Sequence, residues 1–170
     1  MVRAELLETL GLSHCKEQVA LAPKLVNTDE AFDHQLTAAE VESLYVYDQP
    51  SGLGMLNLAP WLGLAWSQAA LGQPTCKPTQ RLWRLGRVVE RLSAALGPGA
   101  DWVGIYRAVH EHDGTRCLLK EAYRGSTSRG LFPLTEDFAA GSNNSSCAMS
   151  RRAKVVKDTL ALKADEPYYE

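Results

Sequence analysis

Neither sign of charge dominates this chain: 18 Lys and Arg stand against 20 Asp and Glu, a net charge of −2 over 170 residues. A polynucleotide-binding protein needs a basic surface to neutralise phosphates, so this balance argues against nucleic acid as a partner. Cysteine is sparse and scattered. Cys15, Cys76, Cys117 and Cys147 form no C-x-x-C pair and no spacing that suits a metal. Disulfide frameworks and zinc modules are therefore poor fits, and reduced thiols in a cytoplasm are the expectation. No apolar run approaches the roughly 18 residues of a membrane span, and residues 1–5 open an amphipathic acidic stretch rather than a secretory signal. Also missing are a Ser–His–Asp set, a P-loop and a dinucleotide fingerprint. Internal repeats and low-complexity tracts are absent too. These absences favour binding over catalysis, with no cofactor and no metal expected.

What is present is ordinary for a globular domain: 45% hydrophobic and 22% charged residues. The length suits one domain, or one domain with a helical extension. Residues 1–98 read as helical with loop interruptions. A short helix is predicted over residues 4–10, ended by Gly11. A second runs over 37–44, with Thr37 as N-cap and Glu40 completing a capping box. Proline and glycines make 49–54 a loop. Residues 60–66 are apolar enough for a buried helix with Pro60 in its first turn. The clearest helix runs from Pro78 to Leu96. Leu82, Leu85, Val88, Val89, Leu92, Ala95 and Leu96 keep the 3.6-residue period, while Arg81, Arg84, Arg87 and Arg91 fall largely off that stripe. Gly97-Pro98-Gly99 ends it. Such a stripe packs on a sheet of its own chain, the general rule, or on a second copy to form a homodimer.

Residues 100–157 have a different texture. The stretch 101–109 is aromatic and β-branched, and 117–123 is its antiparallel partner. Asp113-Gly114 between them signals a type I′ hairpin turn. Gly104 inside the first strand marks a bulge or a close approach to the backbone. After a loop at 124–130 come a short edge strand at 131–134, a helix at 143–152, a strand at 154–157 and a turn at Asp158. His110-Glu111-His112-Asp113 places two histidines on one face of a strand end, but no third ligand is in view and a solvated turn is the reading. Arg124, Arg129, Arg151 and Arg152 would favour an anion, since arginine matches carboxylates and phosphates bidentately.

The order of these elements resembles the GAF family: the long helix, the strand Asp101-Trp102-Val103-Gly104-Ile105-Tyr106, a hairpin partner ending at Arg124-Gly125, then Phe138, Ser142-Asn143-Asn144-Ser145 and Lys154-Val155-Val156-Lys157-Asp158. The resemblance covers residues 78–170 and leaves 1–77 as a helical N-terminal extension. It implies an α+β fold, a GAF-like antiparallel sheet flanked by helices, with a pocket between the sheet and the 138–152 segment. A complete domain of this kind continues past Glu170 with another strand pair and a closing helix, so the resemblance implies an incomplete domain.

On that pattern Trp102, Tyr106, Tyr123 and Phe138 would wall the pocket, and Ser142, Asn143, Asn144 and Ser145 would supply polar contacts. The same residue types are also common as sheet core and as helix caps. The implied function is sensory or regulatory binding of a small polar or anionic molecule, passed to a partner through the long helix. Some relatives of the family reduce free methionine sulfoxide with pocket cysteines. Cys147 and Cys117 would be the candidates, although Ser142-Asn143-Asn144-Ser145 stands where those reductases place a cysteine. A degenerate dimerisation scaffold is the third possibility.

Overall fold

Thr37 fixes the start of the first helix. Its hydroxyl accepts from the Glu40 N–H at 3.2 Å, and the Glu40 carboxylate accepts from the Thr37 N–H at 2.8 Å, closing the capping box that the Thr-x-x-Glu spacing predicts. The computed structural model describes residues 36–50, 52–64, 76–111 and 113–156. The helix expected over 4–10, residues 65–66 of the apolar segment, His112, and the strand end and turn at 157–158 lie outside them. Helix α1 (Ala38–Tyr45) buries Val41 and Tyr45, one turn apart, and leaves Glu40 and Glu42 in solvent. Strands β1 (Val46–Asp48) and β2 (Met55–Asn57) pair antiparallel, with Tyr47 opposite Leu56.

The apolar segment after β2 departs from expectation. Pro60–Leu62 forms one 3₁₀ turn, none of its residues is buried, and Gly63 at φ 72° ends it. A left-handed glycine three residues after the proline stops the helix before it can propagate. The long helix, α2 (Lys77–Leu96), matches the period read from the sequence and packs on α1. Thr79, Leu82, Val88 and Val89 are buried, and the Thr79 hydroxyl meets the Tyr45 hydroxyl at 2.9 Å. Burial fades along the stripe, so that Leu96 is 55% exposed.

Strands β3 (Trp102–His110), β4 (Arg116–Gly125) and β5 (Leu131–Pro133) form an antiparallel sheet in the order β3-β4-β5, with Leu118 opposite Phe132. The hairpin between β3 and β4 is longer than a two-residue type I′ turn. Glu111 N–H donates to the Thr115 carbonyl at 2.8 Å and Gly114 N–H donates to the Glu111 carbonyl at 3.0 Å. Gly114, at φ 85°, is the one described residue of this hairpin loop with positive φ. Asp113 stays out of the left-handed region and uses its side chain instead, accepting from the Thr115 N–H at 2.8 Å.

Two short helices follow, α3 (Glu136–Ala140), capped by Thr135, and α4 (Asn143–Ser150), capped by Ser142. Residues 154–156 form no strand, because valines make a strand only against a partner and none of the described strands pairs with them. The described residues are thus α+β: four α-helices and antiparallel sheets of two and three strands. No helix among them is long and apolar enough to cross a membrane.

Contacts divide the chain into two compact units. Among the described residues the first contains 36–106 with 120–129, and the second 107–119 with 130–156. The first has its core at Val41, Tyr45, Leu56, Leu58, Ala59, Leu82, Val88 and Val89; the second at Val109, Cys117, Leu119 and Phe132.

Candidate functional site

In the first unit, α1, β1, α2 and the end of β4 border a half-open cavity of about 260 Å³. Ser43, Leu44, Tyr47, Leu82, Gly86, Glu121, Ala122 and Tyr123 line it. Two tyrosines make its aromatic wall: the Tyr47 and Tyr123 rings meet edge to face, centroids 5.1 Å apart. Tyr47 is held by its hydroxyl, which donates to the Lys120 carbonyl at 2.6 Å. Burial, and then the neighbouring Tyr123, Tyr106 and Glu121, drive its phenol far above the ordinary range, so it stays a neutral donor.

Charge enters the wall through Glu121. Its carboxylate is fully buried and accepts a bond from Arg81 on α2 at 2.6 Å, while the Arg81 side chain is 50% exposed. Leu119, Lys120 and Glu121 are consecutive on β4 and all buried, so both faces of the strand are covered there. Lys120 resolves its own burial by donating to the Ser128 carbonyl at 2.8 Å and hydroxyl at 2.9 Å, with Nζ over both tyrosine rings. Burial still lowers its ammonium to about 8.

Gly86 is the unusual member. It sits inside α2, and a Cβ built on it would meet no atom within 4 Å. Glycine in a helix interior costs about 1 kcal/mol relative to alanine. Here no neighbouring side chain of the described structure requires that cost, and what the missing side chain leaves is open space in the cavity wall.

The sequence-predicted residues distribute unevenly. Tyr123 lines the cavity, but Trp102 and Tyr106 do not; their rings pack on each other, centroids 5.9 Å apart. The close approach that Gly104 permits is made by the Trp102 indole, whose Cζ2 would lie 2.6 Å from a Cβ at that position. Its Nε1 is buried with no hydrogen-bond partner among the described residues. Phe138 belongs to the second unit and packs edge to face on Phe132 at 6.4 Å. The Ser142 hydroxyl accepts from the Ser145 N–H at 3.3 Å, the helix-cap role, and Asn143 and Asn144 are half-buried in the first turn of α4. Ser145 is fully buried, and its hydroxyl has no partner among the described residues.

The cysteines differ sharply. Cys117 is buried and its thiol donates to Glu111 Oε1 at 3.0 Å; burial, then that carboxylate, push it up to about 12. A thiol so disposed is a poor nucleophile. Cys147 is half-buried and forms no disulfide. No sequence pattern singles out Cys76, the N-cap of α2, whose sulfur lies 2.8 Å from Thr79 Oγ1 and 3.8 Å from the Tyr45 hydroxyl. Burial alone would raise this thiol, but the hydrogen bonds from Thr79 and Tyr45 carry it below its ordinary range.

No cluster of three His, Cys, Asp or Glu able to hold a metal occurs among the described residues. Ser43, Tyr47, Gly86 and Glu121 were absent from the sequence-level site. Gly86 was the available signal, being a glycine inside the most regular helical pattern of the chain. Comparisons with family models, curated proteins and solved structures give no match for this chain.

Proposed function

We propose that this chain is a GAF-like small-molecule-binding module of sensory or regulatory type, with its ligand in the cavity lined by Tyr47, Gly86, Glu121 and Tyr123. The observation that carries the reading is Gly86. A helix accepts an unfavourable residue and the space beside it remains open, which is how a wall makes room for a guest. The lining also has the usual make-up of a ligand site, apolar and aromatic walls with a few polar groups, on a volume just below the usual range of about 300–1,000 Å³. The Tyr47 and Tyr123 rings favour a ligand with a flat or apolar body.

Binding is favoured over thiol chemistry by the state of Cys117, the residue that a reductase would need as a partner for Cys147. Thermal unfolding with millimolar cyclic nucleotides, amino acids or methionine sulfoxide tests the reading. A compound present at 100 times its Kd stabilises the folded chain by about 2.7 kcal/mol, a shift of several degrees. An unchanged melting temperature with every member of the panel counts against the proposal.

A further inference from the structure

The second unit contains a separate polar cavity of about 160 Å³, lined by Arg116, Leu134, Ala148, Met149 and Arg151. Arg116 opens β4, where its carbonyl accepts from the Leu134 N–H at 2.7 Å. Arg151 closes α4. Both arginines are exposed, and neither has a carboxylate partner among the described residues. Two arginines therefore line one small cavity that has no acidic residue in its lining.

Arg151 carries a second mark. At φ 54° and ψ 32° it is the one described non-glycine residue in the left-handed region. A helix end asks for that conformation, but glycine or asparagine supplies it with less steric cost. Arginine stands there instead, and it lines the cavity together with Arg116. Non-glycine residues held in this region concentrate at ligand clamps.

We infer that Arg116 and Arg151 form a binding site for a small oxyanion, a phosphate group or its close analogue, independent of the cavity proposed for the first unit. Two forked guanidiniums suit the tetrahedral oxygens of phosphate. The sequence grouped Arg151 with Arg124, Arg129 and Arg152 as a possible anion site; the cavity pairs it with Arg116, a residue that grouping lacked.

Arg151→Gly is the informative variant, because glycine accepts φ 54° and the fold is retained while the guanidinium is removed. Arg116→Gln tests the other arm and Arg151→Lys the need for a fork. The measurement is the melting temperature in inorganic phosphate against sodium chloride of equal ionic strength, which corrects for screening. The wild-type chain should gain about 2–4 °C from phosphate over chloride. Arg151→Gly and Arg116→Gln should lose that gain, with Arg151→Gly melting no lower than wild type in chloride, and Arg151→Lys should keep only part of it. A phosphate gain that survives in either Arg151→Gly or Arg116→Gln, or no gain in the wild-type chain, overturns the inference.

Discussion

Lys120 Nζ lies 3.8 Å from the centroid of the Tyr123 ring, so a buried ammonium and an aromatic wall of the cavity support each other. Two bonds to Ser128 complete its surroundings. Burial nevertheless lowers the group to about 8 from an ordinary value of 10.5.

The pH dependence follows from that lowering. Below pH 8 both folded and unfolded chains hold the proton, and the folded state bears the cost of a buried charge. Between pH 8 and 10.5 the unfolded chain binds the proton that the folded chain has released, so this contribution to stability rises with pH. The full gain is up to about 3 kcal/mol at 1.36 kcal/mol per pH unit. Lys120→Met keeps the stem and removes the charge. Urea unfolding across this range should show wild type gaining on the variant; a flat difference would contradict the burial argument. Cys117 and Tyr45, both pushed up to about 12, lower stability as pH rises above their unfolded values, but they do so in both proteins and cancel in the difference.

Gly125 and Gly104 should respond differently to alanine. At Gly125, φ is 109° and a Cβ would run into the Asp101 backbone carbonyl, which cannot yield without moving the strand end. At Gly104 the obstacle is the far edge of the Trp102 ring, which can swing. Gly125→Ala is therefore expected to cost about 3 kcal/mol or more and Gly104→Ala about 1–2 kcal/mol. Equal costs by chemical denaturation would mean that the indole is as immovable as the backbone.

Thiol reactivity should be graded. Iodoacetamide at pH 7.5, read by peptide mass spectrometry, is expected to modify Cys76 well before Cys117, because only the first has hydrogen bonds that favour a thiolate. Faster labelling of Cys117 would reopen the reductase reading.

Arg81→Leu removes the guanidinium that meets the buried Glu121 carboxylate. The expected loss is about 1.5–3 kcal/mol, the usual range for a hydrogen bond to a charged group. Glu121→Gln should cost less, since the amide needs less solvation. The reverse order would show that the Glu121 carboxylate does not depend on Arg81.

Much of the fold was legible because its signals are local. The Thr37–Glu40 box, the 3.6-residue stripe of α2 and the β3–β4 hairpin each depend on residues close in sequence. At Pro60–Leu62 the apolar content predicts a helix, but the stop at Gly63 limits it to one 3₁₀ turn. Residues 154–156 failed as a strand for want of a partner, which no local pattern encodes. The candidate site was the least legible part. Tyr47 reaches Tyr123 and Lys120 across more than seventy positions of chain, and only packing brings such residues together. Of the expected wall residues, Tyr123 alone lines the first unit's cavity.

The central claim is that the space beside Gly86 is kept for a ligand. Melting temperatures of wild type, Gly86→Ala and Gly86→Leu, each with and without cyclic nucleotides, amino acids and methionine sulfoxide, test it most directly. Gly86→Ala should be about 0.5–1 kcal/mol more stable than wild type through helix propensity. Gly86→Leu should keep wild-type stability while losing any ligand-induced rise, because its side chain occupies the site. A compound that raises the melting temperature of Gly86→Leu as much as that of wild type, or a panel that moves neither protein, would contradict the account.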